Sequence, residues 1–471
     1  MTPAAPSATT PDEAPAKSRM LLAAASNSIA DRRVMAVVTI CLISVTFLQR
    51  FVVPLGPLLS LSVPIVLLGL AYLLYQGDAV ENPAATRWFL VAVAVCSLAA
   101  GLALLLNRSG SLTSLLYLPV IWVAFAIRLH PERWHLYPRV LRRFESLMVF
   151  FGALGILQTL TQALGVWTYQ DYVLSVVPEN FLFTGYNTSY PVEYGSPIIK
   201  ANGFFFNEPS IFAQFLAVAL LSVLVRRGGV VRGLVLAAAL ACTISGTGLL
   251  FAVFGMGVLA LRRGGLWTLR IVVAAVVVGV AVLLSPFGQI FLKRSTETSS
   301  TNSSGNLRFV LPYEEIGRIW SEQPVTMLLG KGAGFADALA NQILELTKLP
   351  INFSGVAKLV LEYGIPAAVL FCVFVALVWV RRCPSPTLGW SAVFGSALLT
   401  GSLLQPQVLY VFVPLISMFI GHRFEQVLDD ERREAMRAAP TAPVDAGAAA
   451  TGVTVTPASP NGVDPGRSRA R

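Results

Sequence analysis

Apolar residues run along this chain in long, nearly unbroken windows separated by short polar clusters, unlike the alternating or three-and-four spacing of a soluble fold. A helix needs roughly 17 to 25 apolar residues to cross a bilayer. Windows near that length fall at 34–53, 54–75, 88–106, 112–130, 145–166, 209–225, 230–246, 247–262, 268–286, 355–380, 388–405 and 407–421. The pattern predicts an all-α polytopic membrane protein of about twelve transmembrane helices. Around Ser245–Gly248 one long apolar stretch divides into two short helices joined by a Gly-rich hairpin. Two interruptions, 167–208 and 287–354, are too long to be simple connectors. The first carries Trp167 with Tyr169, Tyr172, Tyr186, Tyr190 and Tyr194, which suits both an interfacial aromatic belt and a sugar-stacking surface. The second opens with a flexible Ser/Thr/Asn-rich run, 295–306. It then mixes Phe309, Ile316, Ile319 and Trp320 with Arg308, Glu314, Glu315 and Arg318 over Leu307–Leu329, a pattern that predicts an amphipathic helix lying on the membrane surface.

Composition agrees with the pattern. Of 471 residues, 55% are hydrophobic and only 13% charged, which excludes an ordinary soluble domain. The net charge of +10 would suggest nucleic acid, but the arginines stand in short clusters between apolar windows, so no nucleic-acid partner is expected. With the amino terminus inside, Arg32-Arg33, Arg87, the group Arg128 to Arg143, Arg226-Arg227, Arg262-Arg263 and Arg381-Arg382 all fall on the cytoplasmic side. That alternation requires an even number of spans, places both termini in the cytoplasm and sets both long loops outside. Residues 1–33 read as a disordered cytoplasmic tail, 34–421 as the membrane domain, and 422–471 as a second cytoplasmic tail, mostly disordered after a short polar helix. The five cysteines lie in or beside apolar windows, and no disulfide is expected.

Candidate chemistry concentrates in Lys200–Ser210, KANGFFFNEPS, where a cation, a carboxylate and a helix start adjoin a membrane span. Asn207 or Glu208 can cap the helix that follows, with Pro209 in its first turn and Ser210 beside it. Glu208 has a bland role as an electrostatic cap, worth about 0.3 to 1 kcal/mol. Its alternative role is to accept a proton from a hydroxyl nucleophile, for which partial burial would raise its pKa. Arg308 stands between a flexible run and an apolar helix start, where a guanidinium can clamp a phosphate bidentately. Arg318 can do the same or can pair with Glu314 or Glu315 at helical spacing. Gly330–Phe335, with Gly332 and Gly334, lacks the Gly-Lys-Ser/Thr ending of a nucleotide loop. It reads as an anion-lining turn or as a flexible link. His130, His135 and His422 all fall on the cytoplasmic side, so no outer histidine base or histidine metal site can form, and no metal or cofactor is expected.

In order along the chain stand Lys200-Ala-Asn-Gly203, Phe206-Asn-Glu208-Pro-Ser210, Ser245-Gly-Thr-Gly248 and Arg308. Pro324, Leu329-Gly-Lys-Gly332-Ala-Gly334-Phe335, Asn352 and Glu362-Tyr-Gly364 follow. This ordered set, over roughly residues 200 to 370, resembles the O-antigen polymerase and ligase superfamily, Wzy-type polymerases in particular. The resemblance implies a many-helix glycosyltransferase at the outer face of the bacterial inner membrane that joins undecaprenyl-diphosphate-linked oligosaccharides. Flippase and chain-length regulator proteins are the partners it implies. It assigns Lys200 and Arg308, with Arg318 third, to the lipid diphosphate and Glu208 to the acceptor hydroxyl. Asn207, Ser210, Gly332, Gly334 and Asn352 are the further substrate contacts it suggests. Two positions depart from the family pattern: Lys200 where Arg is frequent, and Ile351-Asn352 where ligase-like members carry His-Asn. The missing histidine favours polymerase over ligase. A ligase passing glycan to an acceptor and a twelve-helix secondary transporter are the alternative functions.

Overall fold

The architecture comes from a computed structural model that describes residues 13–54, 58–107, 110–183, 186–192, 196–264, 305–348, 350–420 and 424–430. It is mostly helical. Residues Met1–Leu428 form one unit; of the second, Asp429–Arg471, only Asp429 and Asp430 are described.

The first half contains helices α1 (Glu13–Phe47), α2 (Ser62–Tyr75), α3 (Pro83–Asn107), α4 (Leu112–Trp122), α5 (Tyr137–Ala163) and the short α6 (Tyr172–Val176). Next come α7 (Pro209–Arg226), α8 (Val230–Cys242) and α9 (Gly246–Arg263). After the undescribed stretch follow α10 (Asn306–Phe309), α11 (Leu311–Glu322), α12 (Thr326–Leu329), α13 (Phe335–Thr347), α14 (Gly355–Ala376), α15 (Pro386–Val393) and α16 (Pro406–Leu409). Two small antiparallel ribbons join them. Val52–Pro54 pairs with Leu58–Ser60, and Ala79–Glu81 pairs with Ile127–Leu129 in the register Val80 to Arg128.

Four described helices are long and apolar enough to cross a membrane: Pro83–Leu106, Pro209–Arg226, Gly246–Arg263 and Gly355–Arg381. Ser62–Tyr75, Leu112–Ala126 and Val230–Cys242 are apolar but shorter. The protein is thus a helical membrane protein. Window 268–286 and the run 295–304 lie outside the described residues. Elsewhere the windows differ from whole helices for identifiable reasons. The start of window 54–75 is a β-ribbon. Windows 388–405 and 407–421 break into short helices and π-helical turns at 394–399 and 413–417. Pro406 and Pro414 in this stretch each lack a backbone donor. The expected tail is helical from Glu13 onward, as its alanines, leucines and methionine favour. At the other end Phe424 and Glu425 are buried rather than part of a free tail. The Leu307–Leu329 segment is three short helices divided near Pro312 and Pro324. The apolar face of α11, with Ile316 and Ile319, packs on Ala336, Leu339, Ala357 and Leu361 of α13 and α14 instead of lying free for the membrane surface.

Helix α7 sits at the centre, packed by α5, α8, α9 and α15. Its tight fit against α9 depends on two glycines of α9 about two turns apart. A Cβ on Gly248 would come within 2.4 Å of Ala213 Cβ, and one on Gly255 within 2.2 Å of Leu221 Cδ1. At 1.5 Å per residue its 18 residues span about 27 Å, close to the thickness of a bilayer core. At its carboxyl end, Arg226 donates to both oxygens of the buried Glu145, at 3.0 and 2.8 Å. There too Arg262 reaches Glu425, and Arg263 donates to the carbonyls of Leu224 and Val225. Glu208 stands at the opposite end, so the basic cluster and the Lys200–Ser210 segment are separated by the length of a membrane-crossing helix.

Candidate functional site

The turn leading into α7 is built to hold Glu208 in place. Gly203 and Phe204 take consecutive positive φ angles of 61° and 66°. Only glycine adopts that region freely, so the phenylalanine must be held there. The buried Asn202 does so: its Oδ1 accepts from the Phe204 amide at 3.0 Å, and its Nδ2 donates to the Tyr169 hydroxyl at 2.9 Å. Phe206 then plugs into the core against Phe151, Phe212 and Phe215. Asn207 is buried beside it, donating to the side chain and main chain of Gln49. It fixes the turn but does not face the cavity described next.

Glu208 occupies the cap position of α7 in extended conformation, yet its carboxylate makes no capping bond to the helix amides. Instead Oε2 accepts from the Ser210 hydroxyl at 2.9 Å. Burial pushes its pKa above the ordinary carboxylate value, against the lowering effects of Ser210, Arg308, the Asn187 amide and Lys200. A carboxylate held partly out of water keeps the basicity to take a proton, and the Arg308 and Lys200 charges act on it.

Glu208 and Ser210 line a cavity of about 70 Å³ together with Tyr186, Gln214, Arg308 and Asn352; the broken stretch 399–405 closes its far side. Arg308 is positioned by its Nη1 donating to Thr247 Oγ1, at the start of α9, at 3.0 Å. Asn352 is set beside it because its main-chain N–H donates to the Leu307 carbonyl at 3.1 Å. The Tyr186 hydroxyl accepts from Gln407 at 2.7 Å, and burial, then the Glu208 charge, holds that phenol above its ordinary range. A cavity this size admits a small polar group such as a phosphoryl group or a hydroxyl, but not a whole oligosaccharide.

Other expected residues lie elsewhere. The Lys200 ammonium rests over the Tyr190 ring, 5.6 Å from its centre, near enough to Glu208 to act on its charge but off the cavity wall. Arg318 is exposed on α11, paired with Glu315 at 2.7 Å and Glu322 at 3.4 Å, and does not join the site. Gly332 and Gly334 belong to a different construction. The Gly332 amide donates to the Glu362 carbonyl at 3.0 Å. The amides of Gly334 and Ala336 face the Glu362 carboxylate. The anion this turn meets is therefore the protein's own.

Tyr186 stands in the sequence only as one of several loop aromatics, and Gln214 and the stretch 399–405 are not singled out among the candidates, yet all of them line the cavity. Gln214 carried a usable signal: a lone amide one turn beyond Ser210 inside an apolar window, now buried with its Oε1 unpartnered at the cavity wall. Tyr186 had no local signal, because only folding distinguishes it from the other loop tyrosines.

Compared with models of known protein families the chain matches none, and a search of curated proteins finds no match.

Proposed function

We propose that the protein polymerises undecaprenyl-diphosphate-linked oligosaccharide units into a polysaccharide such as an exopolysaccharide, capsule or O-antigen, at the outer face of the bacterial inner membrane. The observation that carries this reading is the convergence of Glu208, Ser210, Arg308 and Asn352, from three separate stretches, on one cavity at the end of α7 opposite the Arg226–Glu145 cluster. By the positive-inside tendency the arginine-rich end and both termini face the cytoplasm, and the cavity faces out.

In the proposed reaction a sugar hydroxyl oxygen of one lipid-linked unit attacks the anomeric carbon of the chain carried by the other. The bond from that carbon to the diphosphate oxygen breaks with its electron pair, and Glu208 takes the hydroxyl proton. Arg308 stabilises the departing diphosphate, with Lys200 as the second cation; such preorganised charge in a water-poor site is a large share of catalysis. Asn352 and Ser210 orient the reacting groups, and Arg318 has no part.

A carrier reading draws on one feature, the buried Glu362 on the kinked α14, near Lys358 of the same helix and Asp337 of α13. The two readings separate on reconstitution. Purified protein in liposomes with a lipid-linked repeat unit should yield a ladder of longer glycans, and Arg308→Ala or Lys200→Ala should strongly slow its formation. Full-length ladders from variants present at normal levels refute the diphosphate clamp, and labelling of a cysteine at position 308 only from the cytoplasmic side refutes the orientation.

A further inference from the structure

A second cavity lies at the other end of α7 from this site. It has a volume of about 680 Å³ and is walled by Arg32 of α1, Arg139, Arg142 and Arg143 of α5, Arg232 of α8, and Asp31. Five guanidiniums thus face one carboxylate, and that carboxylate is already engaged by Arg133 at 2.9 Å and His135 at 2.8 Å. The nearby Glu145 is held by Arg226 and Ser222, with Arg232 at 3.6 Å. Among the described residues no carboxylate comes within ion-pair distance of Arg32, Arg139, Arg142 or Arg143. Topology alone requires arginines at this end; it does not require four of them to converge, without described acidic partners, on one concave space.

We infer that this cavity binds the phosphate-bearing headgroup of an anionic membrane lipid. Guanidiniums match phosphate oxygens bidentately, and several around one hollow accommodate a diester that a flat basic surface would only attract loosely. A lipid rather than a soluble phosphate is favoured by what lies beyond the cavity. Three turns along from Arg32 and Arg139, on the same faces of α1 and α5, Ile43 and Phe150 are 40% and 50% exposed. These apolar side chains offer acyl chains a surface farther along the same two helices. The pairing of a basic hollow at the α7 carboxyl end with a lipid-facing flank is what a bound phospholipid needs.

The test uses the full chain, purified and delipidated in detergent, titrated with fluorescent phosphatidylglycerol and separately with fluorescent phosphatidylcholine. Binding of phosphatidylglycerol should be at least about tenfold tighter and should weaken with added salt. The combined variant Arg32→Gln, Arg142→Gln, Arg143→Gln should lose about tenfold or more in phosphatidylglycerol affinity. Replacing the same three by Lys keeps the charges but not the forks and should lose less; it also supplies a measurable protein if the glutamine variant does not assemble. Equal affinity for the two lipids, or unchanged phosphatidylglycerol binding in either combined variant, overturns the inference. Inorganic pyrophosphate that binds as tightly as phosphatidylglycerol, and displaces it, also overturns the lipid assignment and identifies a soluble anion instead.

Discussion

Replacing Glu208 by Gln separates the two roles open to this carboxylate, because they move activity and stability in opposite ways. Gln is nearly the same size, and its carbonyl oxygen can still accept from Ser210, so the local packing and the 2.9 Å bond survive. What disappears is the charge and the ability to take a proton. General-base catalysis contributes about 10²- to 10⁴-fold, so glycan polymerisation by the variant should fall by that order. A cap role predicts a different loss, about 0.3 to 1 kcal/mol of stability with little effect on turnover. Here the structure is specific: the Glu208 side chain makes no bond to the α7 amides, and burial raises its pKa above the ordinary glutamate value. Between those two pKa values the unfolded chain releases a proton that the folded chain keeps, so stability falls as pH rises through that window, and the penalty is complete above it. Glu208→Gln relieves that penalty at neutral pH. The variant should therefore melt at the same temperature as the parent or higher at pH 7.5 while losing activity, and the advantage should vanish when both are measured below pH 4. For the parent, polymerisation should drop as pH falls through the raised pKa, and the residual rate of the variant should lack that limb. Thermal melting in detergent and a reconstituted polymerisation assay across pH give both readings. A variant that melts lower at pH 7.5 and retains its turnover would show that the carboxylate is a cap.

The other predictions test separate parts of the structure. Arg308→Ala should reduce turnover about 10²- to 10³-fold, the usual effect of removing one transition-state donor, and Thr247→Val, which only frees the guanidinium, should cost about fivefold. Arg318→Ala should leave polymerisation intact, since its partners are Glu315 and Glu322 on its own helix; loss of activity in a protein that still assembles would bring this arginine back into the site. Gly255→Leu should destabilise the protein by about 1 to 3 kcal/mol or prevent its assembly, as the new side chain meets Leu221 of α7 and Ser391 of α15; an unchanged melting temperature refutes that packing. Arg50 and Asp171 are mutually buried, with Nη2 to Oδ2 at 2.6 Å, so Arg50→Ala should cost about 3 kcal/mol by melting. Burial alone would raise the Asp171 pKa, but Arg50, Thr188 and the Leu174 amide hold it below the usual value. The stabilisation is therefore present above the ordinary aspartate pKa and is lost as pH falls through the lowered one. Asp171→Asn should flatten that acid limb.

What could be read from the chain depends on how local the cause is. A helix that crosses a bilayer declares itself by apolarity over its own length, and so α3, α7, α9 and α14 each overlap a window marked from sequence, with ends that differ by up to five residues. The broken stretch after Pro406 was read as one window because hydropathy registers the apolar residues and not the missing donors of Pro406 and Pro414. Amphipathic α11 shows the limit from the other side: its apolar face is visible in sequence, but α13 and α14 as its cover are not.

The same distinction orders the candidate site. Glu208 could be singled out because Asn-Glu-Pro-Ser is a local helix-start pattern, and the turn that holds it is likewise local, running from Asn202 to Phe206. Arg308 and Arg318 looked alike in sequence, both basic residues in an outer segment. Their difference is a matter of reach: Arg318 finds two acids within one turn of its own helix, whereas Arg308 has no acid at that spacing and its guanidinium extends to Thr247 on α9. An arginine satisfied locally has little left for a ligand, while one anchored through a single neutral hydroxyl keeps its charge and further donors facing the cavity. Glycine turns follow the same rule in reverse. Gly332 and Gly334 offer amides to an anion, but Glu362 is already there, and an incoming phosphate would have to displace a buried carboxylate to use them. The test of a candidate site residue in this protein is therefore what already answers its charge or its donors, and Arg308 remains a cation whose described partner is neutral and whose side chain lines the cavity with Glu208.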